Sequence, residues 1–284
     1  VVDGRVAQET PRARRTPEAG GPSGPATVFQ EEFMSSVEFV VIEEPEPRGI
    51  AAFVAETIGT FLLVFFICGF ISVSSAGGFD LAGLALTHAF ALMVLIYTLG
   101  GTSGGHFNPA VTLALWSIKK ISAPNAIVYV ICQCIGGILG ALVVLLLFKD
   151  VGKAVDYGAT AIHGHILHNG SVWLALIAEA LGTFMLMWAI MGLAVNPRGE
   201  AALAGLGIGA ALGVAVMIFG PATGAGLNPA RWLGPAVASG RFDDAWLYVV
   251  GPLVGAVAAA LTYRWFVLDE RGLIGRKPKE ELPG

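Results

Sequence analysis

The chain has 284 residues, of which 55% are hydrophobic and 13% charged, with a formal net charge of −4; soluble domains carry about 25% charged residues. So little charge excludes an ordinary soluble domain and reads as a polytopic membrane protein, and the slight acidity offers no basic patch for a nucleic acid. Nine of the 21 acidic residues fall in residues 1–48 and four in 269–284, so the apolar middle is nearly free of charge.

Residues 1–48 are rich in Pro, Gly, Glu and Arg without periodicity. Such a segment cannot bury enough apolar surface to fold and reads as a disordered tail. It has no apolar signal core, and residues 1–33, ahead of Met34, read as a candidate gene-model artefact. From Gly49 six apolar segments of spanning length follow, at about 50–75, 81–100, 123–148, 172–195, 201–220 and 244–268. They group as a first repeat over 49–148 and a second over 172–268, separated by an outer loop at 149–171 and followed by a tail at 269–284.

After the second span of each group the same stretch is written, Gly104-Gly105-His106-Phe107-Asn108-Pro109-Ala110 and Gly224-Ala225-Gly226-Leu227-Asn228-Pro229-Ala230-Arg231. The copies lie 120 residues apart (228 − 108). In each, the Asn can cap a helix whose first turn holds the Pro. The apolar runs 111–118 and 232–238 reach roughly 11–12 Å at 1.5 Å per residue, against a hydrocarbon core of about 30 Å. They read as half-helices, over 108–118 and 228–238. The groups also align at Ala55-Glu56-Thr57-Ile58-Gly59-Thr60-Phe61 with Ala178-Glu179-Ala180-Leu181-Gly182-Thr183-Phe184, and at Tyr129, Gln133 and Gly136 with Tyr248, Pro252 and Gly255. Three spans is an odd number, so the second group enters the membrane from the opposite face. The expected fold is an all-α membrane protein, six transmembrane helices plus two re-entrant half-helices in an inverted 3+3 repeat. The half-helix N-termini, the positive ends of their dipoles, then meet near the midplane.

Lys and Arg are more numerous on the side that holds both termini, which predicts cytoplasmic termini, and the cell membrane is the expected location. Glycines such as Gly136, Gly137 and Gly140 read as helix-packing positions. Cys68, Cys132 and Cys134 lie in apolar runs without His or carboxylate at metal spacing and read as small buried hydrophobes. No Gly-x-Ser-x-Gly, phosphate loop or His-Glu-x-x-His occurs. An enzyme is not expected, nor any cofactor or metal.

The two Asn-Pro-Ala copies, Arg231 three residues after Asn228 and the paired Glu-x-x-Gly-Thr-Phe segments resemble the aquaporins of the major intrinsic protein family, over about residues 49–268. The resemblance implies one pore per subunit, assembly as a homotetramer, and water with small neutral solutes as the species passed. It also implies that Asn108, Pro109, Ala110, Asn228, Pro229 and Ala230 form the pore centre, and that Glu56 and Glu179 scaffold the irregular loops. By spacing from the two Asn, the family's outer constriction transfers to His88, Val216, Ala225 and Arg231. A His in the second span with a small aliphatic in the fifth is most similar to the tonoplast branch, as is His163-Gly164 in the outer loop. His163, His165 or His168 are candidate contacts to Arg231 from above. Trp232, Val249 and Ala225 depart from the common water-channel pattern.

The function implied is a passive water channel that excludes protons and ions and also admits ammonia, hydrogen peroxide or another small neutral solute. A glycerol or urea facilitator of the same family is the nearest alternative. An ion-coupled secondary transporter shares the inverted repeat, and Glu56 and Glu179 are its only candidate relay.

Overall fold

The computed structural model describes residues 49–78 and 80–268. The expectations made for residues 1–48 and for the tail at 269–284 lie outside the described residues.

Among the described residues nine α-helices follow one another: α1 (Ile50–Gly77), α2 (Leu81–Ser103), α3 (Pro109–Ser117), α4 (Ala123–Leu147), α5 (Lys149–Lys153), α6 (Val172–Ile190), α7 (Ala204–Thr223), α8 (Pro229–Ser239) and α9 (Ala245–Thr262). A π-helical turn at Met191–Val195 extends α6, and another at Tyr263–Val267 extends α9. Six of these described helices, α1, α2, α4, α6, α7 and α9, are long and apolar enough to cross a membrane. α3 and α8 are not: nine and eleven residues give about 14 and 16 Å. The expected fold class is the one observed.

Large apolar side chains such as Phe66, Phe90, Ile131 and Val254 face outward, each about half exposed, while polar groups such as Glu56, Thr60, Gln133 and Glu179 are fully buried. In lipid every backbone and side-chain polar group has to find its partner inside the protein. Thr60 and Thr183 do so locally, each donating to the carbonyl four residues earlier, of Glu56 and Glu179, at 2.8 Å.

The packing repeats with the sequence. α1 lies against α4 as α6 lies against α9, and α2 meets α7 across the pseudo-twofold axis. Each half-helix docks chiefly on the last helix of the other repeat, α3 on α9 and α8 on α4. The repeats are therefore interlocked. Close approach makes this possible: a Cβ at Gly136 would run into the carbonyl oxygen of Thr57, and one at the equivalent Gly255 into that of Ala180. At both places a helix backbone rests directly on its neighbour's carbonyls, as small residues permit in membranes.

Gly255→Ala is expected to force the α6–α9 pair apart, at a cost of about 1–3 kcal/mol from overpacking, and so to lower the melting midpoint in detergent. Gly101→Ala, where an added Cβ meets nothing within 4 Å, should leave that midpoint nearly unchanged.

Candidate functional site

Both irregular segments are built alike from the backbone up. Gly104 and Gly224 end α2 and α7 in the left-handed conformation, at φ 90° and 78°. The chain then stays left-handed at Gly105 (66°) and Phe107 (46°), and at Ala225 (43°) and Leu227 (50°). Such a backbone turns its N–H groups one way and is strained at the three non-glycine positions, so surrounding contacts must hold it.

A buried carboxylate supplies those contacts in each repeat. Glu56 Oε1 accepts from His106 N (3.0 Å) and Ser103 Oγ (2.6 Å), and its Oε2 from Phe107 N and Gln133 Nε2, both at 2.7 Å. Glu179 Oε1 accepts from Gly226 N (2.9 Å) and Thr223 Oγ1 (2.6 Å), and its Oε2 from Leu227 N (2.6 Å). Tyr129 and Tyr248 donate to the carbonyls of Ser103 and Thr223 at 2.7 and 2.8 Å. The Glu-x-x-Gly spacing explains the docking of the side chains as well. Residues i and i+3 share a helix face, and the missing Cβ at Gly59 leaves the space taken by the Phe107 ring, as Gly182 does for Leu227.

With the segments fixed, the two Asn side chains meet. Asn108 Oδ1 caps α3 by accepting from Ala110 N (2.9 Å), and Asn228 Oδ1 caps α8 by accepting from Ala230 N (2.9 Å) and Arg231 N (3.3 Å). Pro109 and Pro229 occupy the first turns, where a missing N–H costs nothing. Each amide nitrogen then reaches across: Asn108 Nδ2 donates to Leu227 O at 2.9 Å and Asn228 Nδ2 to Phe107 O at 2.8 Å. A primary amide has two hydrogens, so one N–H remains on each Asn.

A cavity of about 680 Å³, open mouths included, has both Asn residues in its wall, along with His88 and Arg231 toward one end and Leu115, Ile190 and Ala194 toward the other. His88 Nδ1 lies 2.9 Å from Leu84 O. A carbonyl only accepts, so Nδ1 carries a proton, and in the neutral ring Nε2 is an acceptor that no group among the described residues fills. Arg231, 2% exposed, donates through Nη1 to Gly158 O at 2.8 Å, and its Nε has no partner among the described residues. Val216 and Ala225 are buried, but the cavity wall stops short of them. Of the four constriction positions, His88 and Arg231 are the pair brought together on this cavity.

The histidine contacts from the outer loop are not formed. That loop reaches Arg231 through the main-chain oxygen of Gly158, while His163 donates its backbone N–H to Ala222 O (2.9 Å), its ring lies 5.8 Å from that of His165, and His168 pairs with Asn169. The reason is geometric: at φ 84° Gly158 packs against Cys68 and turns its carbonyl to the guanidinium first. Trp232 leaves the pathway altogether, stacked on Tyr248 (6.4 Å between centroids) with its edge toward Phe242. None of the cysteines lines the cavity, and among the described residues no group of three His, Cys, Asp or Glu is placed to hold a metal.

Several contributors escaped the sequence reading. Ser103 and Thr223 stand five residues before each Asn, a hydroxyl signal visible in the aligned copies. Gln133 joins Glu56 to Thr112 Oγ1 (2.8 Å), and His106, also on the cavity wall, lies 3.1 Å from that hydroxyl through Nδ1. Pro252 replaces Gln133 in the second repeat, so alignment gave no hint of this link. Gly158 carries no local signal at all.

Comparison with known proteins gives the same outline. The model of the family described as major intrinsic protein matches residues 45–263. Aquaporin NIP1-1 of Zea mays is 39% identical over 216 residues, 75% of this chain and 74% of the relative. Aquaporin AqpM of Methanothermobacter marburgensis is 38% identical over 243 residues, 76% of this chain and 97% of the relative. The X-ray structure of the aquaglyceroporin from Plasmodium falciparum superposes with a TM-score of 0.65 at 25% identity, covering 78% of this chain and 97% of that one. The tonoplast-type assignment finds no support among these relatives, which carry NIP-type and AqpM names. It rested on a few constriction and loop positions, whereas the likeness to the relatives runs over more than 200 residues.

Glu179→Gln would place an amide NH2 where only acceptors are tolerated, and each charge-assisted hydrogen bond lost is worth about 1.5–3 kcal/mol. The expected result is a lower melting midpoint in detergent and weaker protection of the Gly226 and Leu227 amides from hydrogen exchange. A second expectation concerns pH. Burial first, and His165 second, hold the His163 imidazole below its ordinary pKa, so the docked loop favours the neutral ring. That preference costs nothing above the unfolded value of about 6.5 and weakens docking as the pH falls below it. Protection of the His163 amide, corrected for intrinsic exchange, should drop at pH 5, and His163→Gln should remove the drop.

Proposed function

The chain belongs to the major intrinsic protein family, and from that premise we propose that it is a passive channel whose main permeant is water, with the pathway running through the cavity between His88 and Ala194. One observation carries the reading: each Asn amide commits its oxygen to its own half-helix and one hydrogen to the opposite segment, which leaves one N–H at the midpoint of the cavity. Two donors on a water oxygen turn its hydrogens outward along the pathway. A chain of waters oriented away from the midpoint cannot relay a proton through it.

The charges support the same reading. Two half-helices direct their positive N-termini at the site, and Arg231 adds a full charge beside it. In aquaporin-type pores such an Arg and such half-helix dipoles repel protons and cations. Glu56 and Glu179 serve as scaffolds, because their oxygens are occupied by backbone, hydroxyl and amide donors, which leaves little for the coupled relay a secondary transporter needs. His88, Val216, Ala225 and Arg231 form the constriction, His88 and Arg231 from the cavity wall and Val216 and Ala225 from buried positions outside it. Short Val216 keeps the opening wide enough for a small neutral solute, and the neighbour titled aquaglyceroporin makes glycerol or urea the alternative main permeant. The assembly is a homotetramer in the cell membrane with cytoplasmic termini.

Stopped-flow light scattering on proteoliposomes tests this. Water flux should be fast, unsaturated and weakly temperature-dependent, whereas saturable, gradient-coupled flux contradicts the channel. Val216→His with His88→Phe should keep water flux within about an order of magnitude, some 1.4 kcal/mol, and lower the ratio of glycerol or ammonia to water permeability. An unchanged ratio would remove these positions from the constriction.

A further inference from the structure

The segment that bonds to Arg231 is strained in a way the pore does not by itself explain. Asp156, Tyr157 and Gly158 are left-handed in succession, at φ 47°, 54° and 84°, and two of them are not glycine. Left-handed L-residues persist only where contacts over-determine them. Tyr157 has such contacts: its ring is buried beside Val64, Cys68 and Val144, and its hydroxyl donates to Lys149 O at 3.1 Å. Gly158 needs none for its conformation and spends its carbonyl on Arg231. At Asp156 the side-chain hold is an ion pair, Arg241 Nη1 to Oδ2 at 2.7 Å, with Arg241 Nε also 3.3 Å from Asp243.

The two arginines belong to one element. Arg231 sits in the first turn of α8, and Arg241 follows Gly240, the left-handed cap at its other end, ten residues on (241 − 231). Both reach the same three-residue strap. The strap is thus held to the ends of one half-helix, at a buried contact beside the pore and at an exposed ion pair whose side chains are 55% and 42% accessible.

We propose that Asp156 and Arg241 are positioning residues for the pore: their ion pair fixes the strained strap so that the Gly158 carbonyl holds the Arg231 guanidinium in place, and with it the selectivity of the constriction. The proposal rests on the reading of Arg231 as the constriction's cation. It makes selectivity sensitive to ionic strength at an exposed point outside the pore, since surface pairs are screened by salt and the Debye length falls from about 30 Å at 0.01 M to about 3 Å at 1 M.

The test uses the full chain in proteoliposomes, with flux normalised to folded protein and salt equal on both sides at about 0.01 M or about 1 M. The readout is the ratio of urea to water permeability. Arg241→Ala and Asp156→Ala should each raise the ratio roughly two- to five-fold at low salt, the population factor an exposed ion pair controls, with water permeability little changed. Arg241→Lys, and the reversed pair Asp156→Arg with Arg241→Asp, should bring it back toward the parent. High salt should move the parent toward the alanine variants and leave those variants unmoved. Alanine variants that match the parent at both salts, or a reversed pair that behaves like the single alanines, would overturn the tether. Arg231→Val separates the two claims: if it shifts the ratio while Arg241→Ala does not, the tether alone fails, and if it shifts nothing, the reading of Arg231 fails and the tether with it.

Discussion

Two carboxylates, Glu56 and Glu179, sit fully buried in the middle of an apolar protein and bond the N–H groups of two irregular segments. A non-helical backbone at membrane depth is tolerated only where its polar groups are satisfied within the protein or by a water-lined cavity. Here the division is clean. The N–H groups of His106, Phe107, Gly226 and Leu227 turn inward to carboxylate oxygens. The carbonyls of Phe107 and Leu227 then remain for the Asn amides of the opposite segment. Remove the carboxylates and those four N–H groups lose their acceptors, so the cap positions and the cross-links would be weakened together.

Interlocking makes the arrangement cooperative. Because α3 docks chiefly on α9 and α8 on α4, each repeat needs the other to complete its half-helix contacts. The carboxylate–amide scaffold of each repeat presents its Asn to a carbonyl that only the other repeat supplies. The positive ends of both half-helices are brought to one point and leave two N–H groups there, a field that favours a neutral dipole such as water and opposes a cation.

Much of this was legible in the sequence because it is written twice. The inverted repeat, the six spans, the half-helices, the Asn caps and the paired Glu-x-x-Gly segments follow from apolar length, odd span count and alignment of the copies. What repetition does not carry was missed or misread. Gln133 has Pro252 as its counterpart, Gly158 acts through a carbonyl that any residue type possesses, and Trp232 finds its place by stacking on Tyr248, a ring distant in sequence. The histidines of the outer loop are chemically conspicuous in the sequence. Main-chain geometry decided the contact to Arg231 instead. The branch assignment failed for a related reason, since a few constriction and loop positions weigh little against similarity spread over the whole bundle.

The hydrogen-bonding roles are divided: backbone N–H groups face the scaffold while one hydrogen of each Asn amide is left for the pathway. Water-to-amide magnetisation transfer, measured by solid-state NMR on isotope-labelled protein in bilayers, observes that division directly. Transfer is expected from water to the side-chain amides of Asn108 and Asn228, with the backbone amides of Phe107 and Leu227 protected. Transfer to Phe107 and Leu227 with none to the two Asn side chains would contradict it.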